Sequence, residues 1–247
     1  MARGIRLYTS TDLTQWTDRG FVIKQSESWG KSRFWAPDII EKAGVFYLYY
    51  SADTRVCVAR STNPSGPFKQ IGHLPMEPES IRIDAHVFRD DDGKMYFYYV
   101  TFDGGNEIWG AELSEDMVTL RPETRTRMIH ADAPWERHRG NIVEGPVILK
   151  HGGTYYLTYS GSHFESPHYA VGYATSESPL GPWTKHEHNP VMKSTSYAHG
   201  AAHHDFARSP DGREFFIVYH RHYSLEATEP RAMACLLYTS DAADEVD

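Results

Sequence analysis

GNIVEGPVILKHGGTYYLTYS, Gly140 to Ser160, is the stretch on which the fold turns. It reads as an apolar strand, a tight turn at His151-Gly152-Gly153, and a second strand, Thr154 to Ser160, rich in aromatic and β-branched residues. That composition suits a pleated, half-buried surface. One acid stands at the head of the first strand. Glu144 comes directly before Gly145, Pro146 and the apolar run, where a charge is costly unless it has a partner or a task. It is the first residue to suspect of chemistry.

Three other stretches share this layout of polar head, apolar strand, turn and aromatic strand. They are WAPDIIEKAGVFYLYYS (Trp35 to Ser51), RIDAHVFRDDDGKMYFYYV (Arg82 to Val100) and GAAHHDFARSPDGREFFIVYH (Gly200 to His220). Their heads, Asp38, Asp84 and His203, recur with Glu144 at intervals of about 45 to 60 residues, the spacing of propeller blades. A further strand recurs as well. Val56 to Ser61 leads to Gly66-Pro67-Phe68, Ala170 to Ser176 leads to Gly181-Pro182-Trp183, and Arg6 to Trp16 is a looser match. A unit of about four strands cannot bury both faces alone, so such units stack around an axis. The expected fold is all-β, a five-bladed β-propeller whose first blade is present only as its outer strands, from Gly4 to Ile23.

Residues 1–234 are expected to form this single domain, a length that one all-β domain can reach. CLLYTSDAADE, Cys235 to Glu245, resembles the translation of a sequencing adapter, so 235–247 is expected to be a non-native tail.

Composition narrows the partners. The formal charge is −8, with no long run of Lys or Arg, so there is no electrostatic footprint for nucleic acid or an anionic membrane. No apolar segment approaches the roughly 18 residues of a membrane helix. Met1 to Gly4 is not followed by the apolar core of a signal peptide. Localisation is left unassigned, because a signal would precede the missing strands of the first blade. Cys57 and Cys235 are too few for a disulfide framework and lack zinc spacing. The 14 His form no HExxH, the pattern of a catalytic zinc.

In a propeller the innermost strands converge on the axis, so heads far apart in sequence meet. Two carboxylates and an imidazole then share one site. Paired carboxylates flanking a bond are the machinery of glycoside hydrolysis. Glu144 is the candidate general acid, kept protonated by its apolar flanks and by a neighbouring Asp84. Asp38, beside Pro37, is either turn chemistry or a part of the pocket wall. Trp35, His204 and Arg231 complete the candidate substrate-binding set, with Arg231 placed to hold a hydroxyl or a carboxylate.

These motifs resemble glycoside hydrolase family 43, over about residues 4 to 234 and with four motifs in the family's order. The resemblance implies a five-bladed propeller that hydrolyses arabinofuranosyl, xylosyl or, in some branches, galactofuranosyl linkages with inversion, acting on oligo- or polysaccharides. By that resemblance Glu144 is the general acid and Asp84 orients it and raises its pKa. His203 resembles the family's axial histidine, often associated with hydrated calcium; no cofactor is otherwise required. The family's general base is an aspartate in an Asp-Pro motif upstream of the equivalent of Arg6, and nothing before Arg6 replaces it. Asp12 and Asp18 lie on the outer part of that blade, so this chain is expected to hydrolyse poorly. A carbohydrate-binding propeller without turnover is the alternative. A fructan-acting relative lacks its Asn-Asp-Pro and Arg-Asp-Pro signatures here. The sugar and the mode of cleavage belong to rim loops such as Ser162 to Tyr169 and Asp103 to Glu107.

Overall fold

Each repeated stretch forms a meander of antiparallel strands, because its turns are short and its apolar residues fill the space between neighbouring sheets. In the computed structural model, residues 3–72, 75–102 and 104–238 are described. Asp103 and residues 239–247 of the expected tail therefore lie outside the described residues.

Four sheets form blades. The first comprises β3 (Trp35–Lys42), β4 (Val45–Ala52), β5 (Arg55–Ser61) and β6 (Lys69–Gln70). The second comprises β7 (Ile83–Arg89), β8 (Met95–Phe102), β9 (Asn106–Leu113) and β10 (Thr126–Ile129). The third comprises β11 (Val143–His151), β12 (Thr154–Gly161), β13 (Ala170–Ser176) and β14 (Thr184–Lys185), and the fourth β15 (Ala202–Arg208), β16 (Phe215–Arg221) and β17 (Ala232–Tyr238). β1 (Gly4–Thr9) and β2 (Thr17–Lys24) make a separate two-stranded sheet. The fold is thus an all-β propeller of four blades among the described residues, with this hairpin beside them. β17 runs through the expected boundary at Ala234, pairing Cys235 with Val218 and Leu236 with Ile217.

The core lies between blades. Tyr98, Ile108, Ile148, Leu157 and Tyr159 pack the β7–β10 blade against β11–β14. Tyr49, Val58, Val87 and Phe97 do the same one blade earlier, and Ile5, Val22 and Ile23 of the hairpin pack on Leu48 and Tyr50. Fully buried tyrosines serve such interfaces because a large ring fills space while its hydroxyl finds an acceptor. Tyr98 donates to the Pro179 carbonyl at 2.8 Å and Tyr49 to that of Met117 at 2.8 Å.

The innermost strands β3, β7, β11 and β15 neighbour one another in chain order. Each breaks register once near its start, between Trp35 and Asp38, Ile83 and His86, Glu144 and Val147, and Ala202 and Asp205. At each break one residue takes a positive φ: Ala36 at 41°, Asp84 at 54°, Gly145 at 57° and His203 at 50°. Such bulges re-aim side chains and often sit beside active sites. They correct one expectation of the sequence, which treats the four heads as equivalent. Asp84 and His203 share the bulge position, Glu144 sits one residue before it, and Asp38 two after.

Candidate active site

The bulges are pinned by a relay of contacts from blade to blade. The Asp84 N–H donates to Ser51 Oγ at 3.2 Å, Gly145 N–H to Asp84 Oδ2 at 3.3 Å, and His203 N–H to Ser160 Oγ at 2.8 Å. Asp84 thus stands where serines serve the other two interfaces. Its carboxylate accepts from the backbone one residue after Glu144.

Glu144 is buried, with both oxygens engaged. Asn106 Nδ2 donates to Oε2 at 2.8 Å and the Tyr169 hydroxyl donates to Oε1 at 2.8 Å. The same hydroxyl lies 3.3 Å from His203 Nδ1, and the His203 ring stacks on His220 with centroids 6.0 Å apart. A Cβ at Gly145 would meet that imidazole only at an ordinary contact distance of 3.4 Å, so it is the positive φ of 57° that favours glycine there.

Burial pushes Glu144 up to about 7, and the Asp84 charge pushes the same way, while His203 and the donors from Tyr169 and Asn106 oppose it. Asp84 is also pushed up, by burial, against the Gly145 N–H that favours its ionised form. Two buried carboxyls that repel one another's charge hold a proton near neutral pH. An acid that is protonated at working pH and held from two sides can protonate a leaving oxygen.

The remaining expected residues divide. Trp35, 41 % exposed at the start of β3, and Arg231, whose guanidinium lies 5.5 Å over Phe164 and pairs with Glu229 at 2.9 Å, stand at the same end of the blades as Glu144. Asp38 does not join Glu144. Its Oδ2 accepts from Val87 N–H at 2.8 Å and lies 3.5 Å from His86 Nδ1, so it braces β3 against β7. Asp38 lies two residues beyond the positive-φ Ala36, where regular pairing resumes opposite Tyr49. His204 is likewise a brace, buried with Nε2 2.7 Å from Thr158 Oγ1 on β12, because the bulge turns it opposite to His203. Asp12 caps the turn at Thr14 and Gln15, and Asp18 pairs with Arg6, so both stay in the hairpin. Among the described residues no three His, Cys, Asp or Glu side chains converge to hold a metal. The hydrated calcium that the resemblance suggests at His203 thus finds no cluster of protein ligands there.

Sequence reasoning does not single out Asn106 and Tyr169. Each falls at the end of a rim loop, and neither loop has a periodicity that marks the one side chain turning inward. Ser51 and Ser160 escape it as well, since each only continues the aromatic run of a second strand and nothing local marks its hydroxyl as an acceptor for the next blade.

An all-β propeller with a protonatable carboxyl and a second carboxylate beside it defines a glycosidase of O-glycosyl bonds. The chain belongs to the glycosyl hydrolases family 43, whose model matches residues 1–235. It is similar to a β-D-galactofuranosidase, xynD, of Aspergillus niger, with 28% identity covering 96% of this chain and 72% of that protein. It is also similar to xylosidase/arabinosidase 43A of Humicola insolens, with 32% identity covering 68% of this chain and 62% of that protein. A solved endo-1,4-β-xylanase of Bacteroides thetaiotaomicron superposes with a TM-score of 0.90 at 35% identity, covering 97% of this chain and 87% of that one.

Proposed function

We propose that this propeller hydrolyses arabinofuranosyl, xylosyl or galactofuranosyl linkages of oligo- or polysaccharides with inversion of configuration, Glu144 acting as general acid and Asp84 as its orienting partner. The observation that carries the reading is Glu144 itself: buried, raised toward neutral pH, and held by donors at both oxygens. Glu144 protonates the glycosidic oxygen as the bond to the anomeric carbon breaks. In an inverting enzyme a second carboxylate, roughly 6.5–9.5 Å away, activates water on the opposite face of the sugar. The names of the relatives support the three sugars.

We also infer that β1 and β2 are the outer strands of a fifth blade. Leu13 and Trp16 of the hairpin line a small cavity with Val218, Met233 and Cys235 of the β15–β17 blade, while Ile5 and Val22 pack on the β3–β6 blade. These contacts on both sides support reading the hairpin as part of a blade closing the ring. No described residue supplies the inner strands of that blade, and Asp12 and Asp18 are occupied elsewhere. The chain on its own is therefore expected to turn over poorly.

The test is hydrolysis of 4-nitrophenyl α-L-arabinofuranoside, β-D-xyloside and β-D-galactofuranoside by two proteins. One is this chain; the other is preceded by two strands carrying an Asp-Pro. Activity in the extended protein that Glu144→Gln abolishes supports the reading. Silence from both, with oligosaccharide binding that survives Glu144→Gln, makes the protein a carbohydrate-binding propeller instead.

A further inference from the structure

Glu144 is held by two donors of different kinds, and the difference has a chemical consequence. The side-chain amide nitrogen of Asn106 can only donate, whereas a tyrosine hydroxyl donates one hydrogen bond and can accept others. Oε2, 2.8 Å from Asn106 Nδ2, is therefore an acceptor in every protonation state. The proton of the acid form can sit on Oε1, the oxygen 2.8 Å from the Tyr169 hydroxyl, because a protonated carboxyl oxygen still accepts. Oε1 has a lone pair left for Tyr169 while its own hydrogen points to the leaving group.

We propose that Tyr169 is a positioning residue for the acid step: its hydroxyl stays bound to Glu144 Oε1 before and after proton transfer, in a hydrogen bond that strengthens as the carboxylate forms. The step balances simply. The Oε1–H bond breaks with its electron pair kept on Oε1, the proton goes to the glycosidic oxygen, that oxygen keeps the pair of the broken C–O bond, and the anomeric carbon takes the oxygen of a water whose proton passes to the second carboxylate. Over the same step the Tyr169 hydrogen bond passes from neutral to charge-assisted, the stronger class. Its contribution is thus larger in the transition state than in the ground state, the condition for raising the rate.

The surroundings are arranged to keep Tyr169 in this role. Its ring is fully buried, stacked on His220 with centroids 5.7 Å apart, and packed with Val171 and Ala202. His203 Nδ1, 3.3 Å from the hydroxyl, can donate to it in the Nδ1–H tautomer, which leaves the hydroxyl hydrogen directed at Glu144. The other charged group facing Glu144 is Asp84, from β7, whose hydrogen bond runs to the Gly145 backbone rather than to Tyr169. Among the described residues, Tyr169 is the link from the acid's Oε1 to the β15 side of the axis.

This inference rests on Glu144 being the general acid, and its test separates the two claims. Tyr169→Phe keeps the ring and removes the hydroxyl. In the extended protein, kcat/KM is measured on a 2,4-dinitrophenyl glycoside, whose leaving group departs without protonation, and on an alkyl glycoside, whose leaving group needs it. Loss of one hydrogen bond to a charged group predicts about a 10- to 100-fold drop on the alkyl glycoside and under about threefold on the dinitrophenyl one. Equal losses on both, or none, overturn the role of Tyr169 while leaving the functional reading intact. If the unmutated protein hydrolyses neither, the functional reading fails, and the ¹³C carboxyl resonance of Glu144 decides the hydrogen bond without turnover. A titration midpoint that rises by about one pH unit in Tyr169→Phe supports it; an unmoved midpoint refutes it.

Discussion

Glu144→Gln should stabilise this protein at alkaline pH and leave it unchanged at acidic pH. Ionising Glu144 in the folded protein is opposed by burial and by the Asp84 charge, which raise its carboxyl to about 7, well above the ordinary glutamate value of about 4.3. A group raised on folding binds its proton more tightly in the native state. Its favourable contribution is therefore complete below the unfolded value and is lost as pH climbs to the folded one. Above that, the native state carries a cost on the order of 2–3 kcal/mol, part of it shared with Asp84. The substituted carboxamide would carry no charge to desolvate, and it can still accept from Asn106 and donate to Tyr169. The variant should therefore melt roughly 5–10 °C higher at pH 8.5 and within about 1 °C of the parent at pH 4. Scanning calorimetry or urea unfolding at both pH values measures this. A variant that is equally or less stable at pH 8.5, or one whose gain does not depend on pH, would refute the claim that the acid is held protonated by its surroundings.

Other outcomes follow from the same contacts. Because the Asp84 charge raises Glu144, Asp84→Asn should move the alkaline limb of the kcat/KM profile to lower pH by about one unit, read with an alkyl glycoside whose departure needs the acid; an alkaline displacement would contradict the coupling. Glu136 is wholly buried, accepts from Tyr159 at 2.7 Å and pairs with Lys185 at 2.8 Å. Lys185→Met should then cost about 3 kcal/mol by stranding that charge, measured by urea unfolding near neutral pH. Gly161→Ala would place a Cβ 2.4 Å from Cζ3 of Trp135, so about 1–3 kcal/mol of overpacking is expected, with loss of the Trp135 fluorescence environment as a second readout.

The blades are legible because their signal is local. Aromatic and β-branched runs, turns such as His151-Gly152-Gly153, and the Gly-Pro-aromatic closures at Gly66 and Gly181 each need only near neighbours to be recognised. The acid is legible for a related reason: Glu144 stands where a charge conflicts with the apolar run that follows. Asp38 reads as a pocket residue because it is itself a head, and His204 because it adjoins one. A bulge decides otherwise, since a single inserted residue moves the next side chains to another face.

What the sequence determined by itself is the all-β repeat, the family to which it belongs and the candidates Asp84 and Glu144, all of which are written in contiguous motifs. Which groups touch those carboxylates was decided only by tertiary structure. Asn106, Tyr169, Ser51 and Ser160 come from three different blades and meet Asp84, Glu144 and His203 across blade interfaces or from the rim. Their contacts span between 25 and 43 residues of chain. No local pattern encodes a meeting of that kind, because it depends on how the rigid blades close around the axis.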